Sequence, residues 1–203
     1  MPTSLSEWDA KYRAADEAAA PEPAAIVSEL LPLLPLGPAL DLACGTGRHA
    51  LLLASQHQPV TAVDGSGVAL EILARRARAA KYATTRSHGN GRVTACRKGI
   101  QLVQVDLERT TLAANSFSLI LCVNYLQRSL FSQMQRALAV DGVLLFETYT
   151  QAQLDFAGGP KSPEHLLEPG ELRMAFPTLR ILFYRELRAG KGIASLLAQK
   201  SAV

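Results

Sequence analysis

The run Asp41-Leu42-Ala43-Cys44-Gly45-Thr46-Gly47-Arg48-His49 constrains this chain more than any other segment. It starts in a short apolar stretch of strand character, Ala39 to Ala43, and runs into a helical pattern from Arg48 to Gln56. Two glycines stand where strand becomes helix. That placement permits a tight turn and lets a ligand approach bare backbone. The following helix offers its first amides, and the positive end of its dipole, to an anionic group.

A turn of this kind predicts further strand–helix alternation, and the sequence supplies it. Val60 to Asp64 reads as a second strand, and Gly65-Ser66-Gly67 opens a helix reaching about Ala80. Gln101 to Asp106 is a third strand. Phe117 to Asn124 is a fourth, so apolar that it must be buried on both faces. Leu130 to Ala139 reads as a helix, Asp141-Gly142 as a turn and Val143 to Thr148 as a fifth strand. Leu179 to Leu187 and Ile193 to Lys200 form a strand pair around Ala-Gly-Lys-Gly. The expected fold is α/β: a Rossmann-like, doubly wound, mostly parallel seven-stranded sheet with a C-terminal antiparallel hairpin.

The length of 203 residues suits a single domain, 1–203. Residues 1–36 are expected to form an N-terminal helical cap, with helices from Ser6 to Ala20 and Ala24 to Leu34. Residues 82–98 read as a basic flexible insertion, and 156–170 as a loop able to serve as a substrate lid.

Several classes are disfavoured. Cys44, Cys96 and Cys122 are odd in number and widely spaced, against a disulfide framework or a zinc site, so no metal is expected. The N-terminus lacks a cationic start followed by an apolar run, and Ile26 to Ala43 is broken by Pro32, Pro35 and Pro38. A cytoplasmic location without membrane contact is the resulting expectation. Eight of the 21 basic residues lie between Ile72 and Val105, where there is no acid. That segment reads as a solvated face or as a surface for an anionic partner. Only Tyr82 is interleaved, so stacking on nucleic-acid bases has little support.

Three carboxylates sharpen the chemistry. Asp64, at the tip of the second strand, can accept two hydrogen bonds from a ribose diol. Asp41 lies four residues before Gly45, where it would repel a pyrophosphate but can hold an ammonium, directly or through water. Asp106 ends the third strand and can accept from an adenine amino group. Each has a plainer reading as well: Asp41 and Asp64 as caps, Asp106 as a turn residue. Gly45 to Ala50 also satisfies the dinucleotide pattern G-x-G-x-x-[G/A], so an NAD(P)-binding oxidoreductase stays open.

With Leu40-Asp41-Leu42-Ala43-Cys44-Gly45-Thr46-Gly47, Val63-Asp64, Val105-Asp106-Leu107 and the closing hairpin, the chain resembles class I S-adenosylmethionine-dependent methyltransferases. The resemblance covers nearly the whole chain. It is closest to the small bacterial tellurite-resistance and thiopurine methyltransferase-like group, through W-D-A-K-Y-R, N-Y-L-Q-R and L-L-F-E-T-Y-T. Ala43, where the class often has glycine, is one departure, and the basic insertion is another. The resemblance implies S-adenosyl-L-methionine as cofactor, leaving as S-adenosyl-L-homocysteine. It places Asp41, Ala43 and the Cys44-Gly45-Thr46-Gly47 backbone around the methionine moiety. Asp64 with Gly65 would bind ribose, and Asp106 with the Leu107 amide would read adenine. Asn124 would lie beside the sulfonium, and Trp8 and Tyr12 would close over the cofactor, with Arg48 or His49 nearby. Trp8 and Tyr12 also suit plain core packing, Cys44 a buried filler and His49 a helix surface.

The implied reaction is in-line methyl transfer to a small-molecule acceptor, which needs alignment and exclusion of water more than a dedicated base. Tyr125, Gln127, Arg128, Glu147 and Tyr149 are the acceptor-side candidates, and Arg128 also suits a salt bridge. The expected assembly is a monomer or homodimer. A non-catalytic cofactor-binding or partner protein, docking through the basic segment, is the other open reading.

Overall fold

The computed structural model describes residues 4–15, 21–88 and 91–202. Its helices are α1 (Leu5–Ala15), α2 (Ala25–Leu30), α3 (Arg48–Ser55), α4 (Gly67–Ala79), α5 (Phe131–Ala137) and α6 (Glu171–Met174). Its strands are β1 (Ala39–Leu42), β2 (Val60–Asp64), β3 (Thr84–His88), β4 (Arg92–Val93), β5 (Ile100–Gln104), β6 (Thr111–Leu112), β7 (Phe117–Val123), β8 (Leu138–Tyr149), β9 (Leu179–Arg188) and β10 (Gly192–Lys200). Residues 16–20 of the expected first helix lie outside the described residues.

One eight-stranded sheet, ordered β3-β5-β2-β1-β7-β8-β10-β9, organises the molecule. Strands β3 to β8 of that order pair in parallel, and β10 runs antiparallel to both β8 and β9. The central strands β1 and β2 are buried at every position, as their largely apolar sequences suit, and their buried polar members Asp41, Thr61 and Asp64 each accept backbone N–H groups. Two apolar layers cover the faces, one around Leu40, Phe117, Phe146 and Phe176, the other around Ile26, Leu53, Leu73 and Leu121. Chain direction reverses in strand order at β1, so a crevice opens above the carboxyl ends of β1 and β7.

The sheet thus carries eight strands where seven were expected. The addition, β3, lies in the segment expected to be a flexible insertion. Helix α4 ends with Lys81 in the left-handed region at φ 61°, closed by Tyr82 N–H donating to the Ala77 carbonyl. The chain then turns onto the free edge of β5. An edge strand needs backbone partners rather than apolar side chains, so Thr-Thr-Arg-Ser-His suffices. Asp141-Gly142 is also not a separate turn. It lies within β8, where pairing with β7 shifts register between Phe117 and Leu119.

Candidate functional site

The glycine turn is fixed from two sides. Gly45 (φ 53°) and Gly47 (φ 83°) both need the left-handed region, and a Cβ on Gly47 would meet Leu73 Cδ1 at 2.1 Å. From the β2 tip, Asp64 Oδ2 accepts the Gly45 N–H at 2.8 Å and Oδ1 accepts the Ser66 N–H at 2.8 Å. Burial pushes the Asp64 carboxyl above its usual range, against the pull of those two amides. From below, Asp41 Oδ2 accepts the Ala50 N–H at 2.9 Å.

Asp41 therefore does not stand where an ammonium was expected. It is buried beneath α3, with Oδ1 3.8 Å from His49 Nδ1, and lines neither chamber described below. The amides of the first helical turn captured it. His49, read as helix surface, is buried too, and its Nε2 accepts the Ala24 N–H at 3.1 Å. The imidazole thereby ties the N-terminal segment to α3, a contact no local pattern reveals.

Above the turn lie two chambers that share Trp8, Tyr12, Ala43 and Asn124 as walls. One, of about 370 Å³, brings together Asp64, Gly65, Asp106, Leu107, Glu108, Tyr125 and His165. The other, of about 420 Å³, adds Lys11, Cys44, Gly45, Thr46, Arg48, Arg76 and Tyr149. The first is acidic and the second cationic. Ala43 (φ 56°) and Asn124 (φ 60°) both adopt left-handed backbone where the chambers meet, conformations that strain a residue with a Cβ. Asp106, two residues past the end of β5, sits in a tight turn, its Oδ1 accepting the Glu108 N–H at 2.9 Å.

Helix α1 roofs the chambers. Trp8 and Tyr12 stack with ring centroids 5.6 Å apart, and Lys11 Nζ sits 4.4 Å above the Trp8 ring. Ser66, which caps α4 by accepting the Ala69 N–H, donates its hydroxyl to Asp9 of α1. Burial, and then the nearby Asp64 charge, push the Tyr12 phenol well above its ordinary value. Burial does the same for Tyr125 and for the Cys44 thiol, so none of the three is a ready base or nucleophile.

Two acceptor-side candidates are engaged elsewhere. Arg128 donates Nε and Nη2 to Glu171 at 2.6 and 2.8 Å, and reaches the Glu164 and Leu166 carbonyls at 3.2 and 3.0 Å. Glu147 is buried in the sheet, accepts the Ser195 hydroxyl at 2.6 Å and faces Lys191 at 3.8 Å. It lines neither chamber, although Tyr149, two residues further along β8, does reach the cationic one. Tyr125 and Tyr149 do reach the chambers, and Gln127 donates to Ser129. Residues missed in the sequence are Lys11 and Arg76 on the cationic side, and His165 and Thr148 beside the two tyrosines.

This geometry accompanies a family match. The model of the methyltransferase domain family matches residues 39–142. The chain belongs to the methyltransferase domain family. Its cofactor is S-adenosylmethionine and its reaction is methyl transfer. Among solved structures, this methyltransferase is similar to TehB from Haemophilus influenzae, at 18% identity and TM-score 0.67, over 87% of this chain and 61% of that one. It is similar to an S-adenosylmethionine-dependent methyltransferase from Mesorhizobium loti, at 19% identity and TM-score 0.64, over 87% and 98% of the two chains. A third, from Methanosarcina mazei, is 19% identical at TM-score 0.62, over 90% of this chain and all of that one. At such identities the likeness is one of fold. No curated protein matches the chain. Among the described residues, no helix is long and apolar enough to cross a membrane.

Proposed function

We propose that this methyltransferase acts on a small molecule held between Tyr125 and Tyr149, with the cofactor spread across the two chambers. The observation that carries the reading is their opposite charge. Asp64, Asp106 and Glu108 line one chamber, and Lys11, Arg48 and Arg76 line the other. An adenosyl amino acid presents hydroxyls and an amino group at one end and a carboxylate at the other, and the two chambers complement those ends.

The residues fit the cofactor on this chain's own terms. A carboxylate has about four lone-pair sites, so Asp64 keeps acceptor capacity for a ribose diol after taking two amides. Asp106 and the Leu107 amide stand where adenine would be read. A Cβ on Gly45 would lie 3.1 Å from the Tyr12 hydroxyl, so glycine keeps the floor open beneath the roof. Arg48 and Arg76 suit the carboxylate, and Asn124 stands at the junction. Asp41 acts at a distance by fixing the turn. When bound, S-adenosylmethionine supplies a methyl group on positively charged sulfur that needs no further activation. The chain's task is to align the acceptor and keep water out, which Trp8, Tyr12 and the 156–170 segment do as roof and side wall.

The acceptor pocket is narrow, about 80 Å³, lined by Asn124, Tyr125, Leu126, Thr148, Tyr149 and Pro160 among others. This favours a small acceptor of the kind taken by the tellurite-resistance and thiopurine methyltransferase-like group over a macromolecule. The test is S-adenosylhomocysteine release with small thiols, selenite, tellurite and small amines, beside bulk RNA and denatured protein. Release with a small molecule alone supports the reading. Release with only RNA or protein overturns it.

A further inference from the structure

The 156–170 segment carries one imidazole into the acceptor pocket, and the structure holds it there with unusual care. His165 lines both the acidic chamber and the narrow pocket beside Tyr125, Thr148 and Tyr149. No hydrogen bond or ion pair engages its imidazole among the described residues, which leaves both ring nitrogens available. Its backbone, by contrast, is pinned. Arg128 donates to the carbonyls of Glu164 and Leu166, the residues on either side of His165. The same guanidinium is held by both oxygens of Glu171, which also accepts the Glu168 N–H at 2.8 Å. Leu166 and Leu167 are buried, and Leu167 exchanges backbone hydrogen bonds with Tyr149 and Gln151.

We infer that His165 is the catalytic base that takes a proton from the acceptor, and that Arg128 with Glu171 is the clamp that positions it. The inference rests on the methyl-transfer reading and adds a role that reading does not need. Among the residues facing the pocket, His165 is the one imidazole. The pocket's other ionisable side chains are the phenols of Tyr125, which burial holds protonated, and Tyr149. Asp64, Asp106 and Glu108 line the adjoining chamber and do not reach the pocket itself. In the step proposed, the acceptor's lone pair forms the new bond to the methyl carbon, and the carbon–sulfur bond breaks with its electron pair going to sulfur. The acceptor's proton passes to a ring nitrogen of His165. The substrate class is therefore a small protic nucleophile, X–H, that must lose its proton. An oxyanion with a free lone pair needs no such help.

The contrast between the two classes supplies the test. Turnover is measured with 2-mercaptoethanol and with selenite, for wild type and for His165→Gln, Arg128→Ala, Glu171→Gln and the His165→Gln/Arg128→Ala pair. His165→Gln should lower kcat on the thiol by roughly 100-fold or more, with KM little changed, and should lower selenite turnover far less. Added imidazole should restore part of the activity of His165→Gly. Arg128→Ala and Glu171→Gln should lower kcat on the thiol in wild type, but Arg128→Ala should add nothing once His165 is gone. As a readout independent of turnover, the His165 ring signal in NMR, identified by its loss in His165→Gln, should shift when 2-mercaptoethanol joins the S-adenosylhomocysteine complex.

Equal loss on thiol and selenite overturns the base. So does retention of thiol turnover in His165→Gln, a wild type that methylates only oxyanions, or a wild type that turns over neither. Additive effects of Arg128→Ala and His165→Gln overturn the clamp. Failure of the protein to bind S-adenosylhomocysteine would instead remove the methyl-transfer reading itself.

Discussion

Asp64 and Gly45 are joined by one hydrogen bond of 2.8 Å, so the tip of β2 holds the turn at the end of β1. The same carboxylate faces the acidic chamber. One side chain therefore both fixes the glycine turn and forms part of the wall of the chamber proposed for the cofactor. Its burial, which makes it useful there, works against its ionisation.

That conflict has a definite pH signature. The folded-state value for Asp64 is raised above the ordinary 3.8, so the folded protein holds the proton more tightly than the unfolded chain. Its contribution to stability is then greatest at acid pH and declines as pH rises from about 4 through the raised value. Urea denaturation between pH 4 and 7 should show wild type losing stability relative to Asp64→Asn as pH rises. A difference that is flat with pH, or that grows in favour of wild type, would contradict the assignment.

The glycine turn separates two substitutions of opposite sign. Gly47→Ala combines a left-handed φ of 83° with a Cβ 2.1 Å from Leu73. Strain and overpacking together should cost about 2–4 kcal/mol in urea denaturation. Ala43→Gly relieves a left-handed φ of 56° and should gain up to about 1 kcal/mol. A stabilising Gly47→Ala would show that the turn adopts another conformation.

Glu147 serves the sheet. Ser195→Ala removes its 2.6 Å hydroxyl partner and leaves a buried carboxylate facing only Lys191 at 3.8 Å. The expected loss is about 1–3 kcal/mol of stability with cofactor affinity unchanged. Thermal denaturation beside a binding titration checks both. A loss of affinity without a loss of stability would return Glu147 to the site.

The parts legible in the sequence were those whose cause is local. Largely apolar runs marked β1, β2 and β7, and glycines marked the turn. The carboxyl ends of β2, β5 and β7 then put Asp64, Asp106 and Asn124 around one cavity. What escaped depends on distant chain. The polar segment Thr84 to His88 became a strand because β5 offered a free edge. Asp41 turned away from the site because the Ala50 amide, nine residues on, claimed it. Arg128 found its partner in Glu171, 43 residues later, and that same fold-back brought His165 over the pocket. No local periodicity encodes such meetings.

The cofactor reading rests on the Asp64-anchored turn holding an adenosyl amino acid. It is tested most directly by calorimetric titration of S-adenosylhomocysteine into wild type and Asp64→Ala, with NADH as the competing ligand. Expected are binding of S-adenosylhomocysteine, none of NADH, and an affinity loss of about 1–3 kcal/mol in the variant. Binding of NADH alone, or equal affinity for S-adenosylhomocysteine in both proteins, would contradict it.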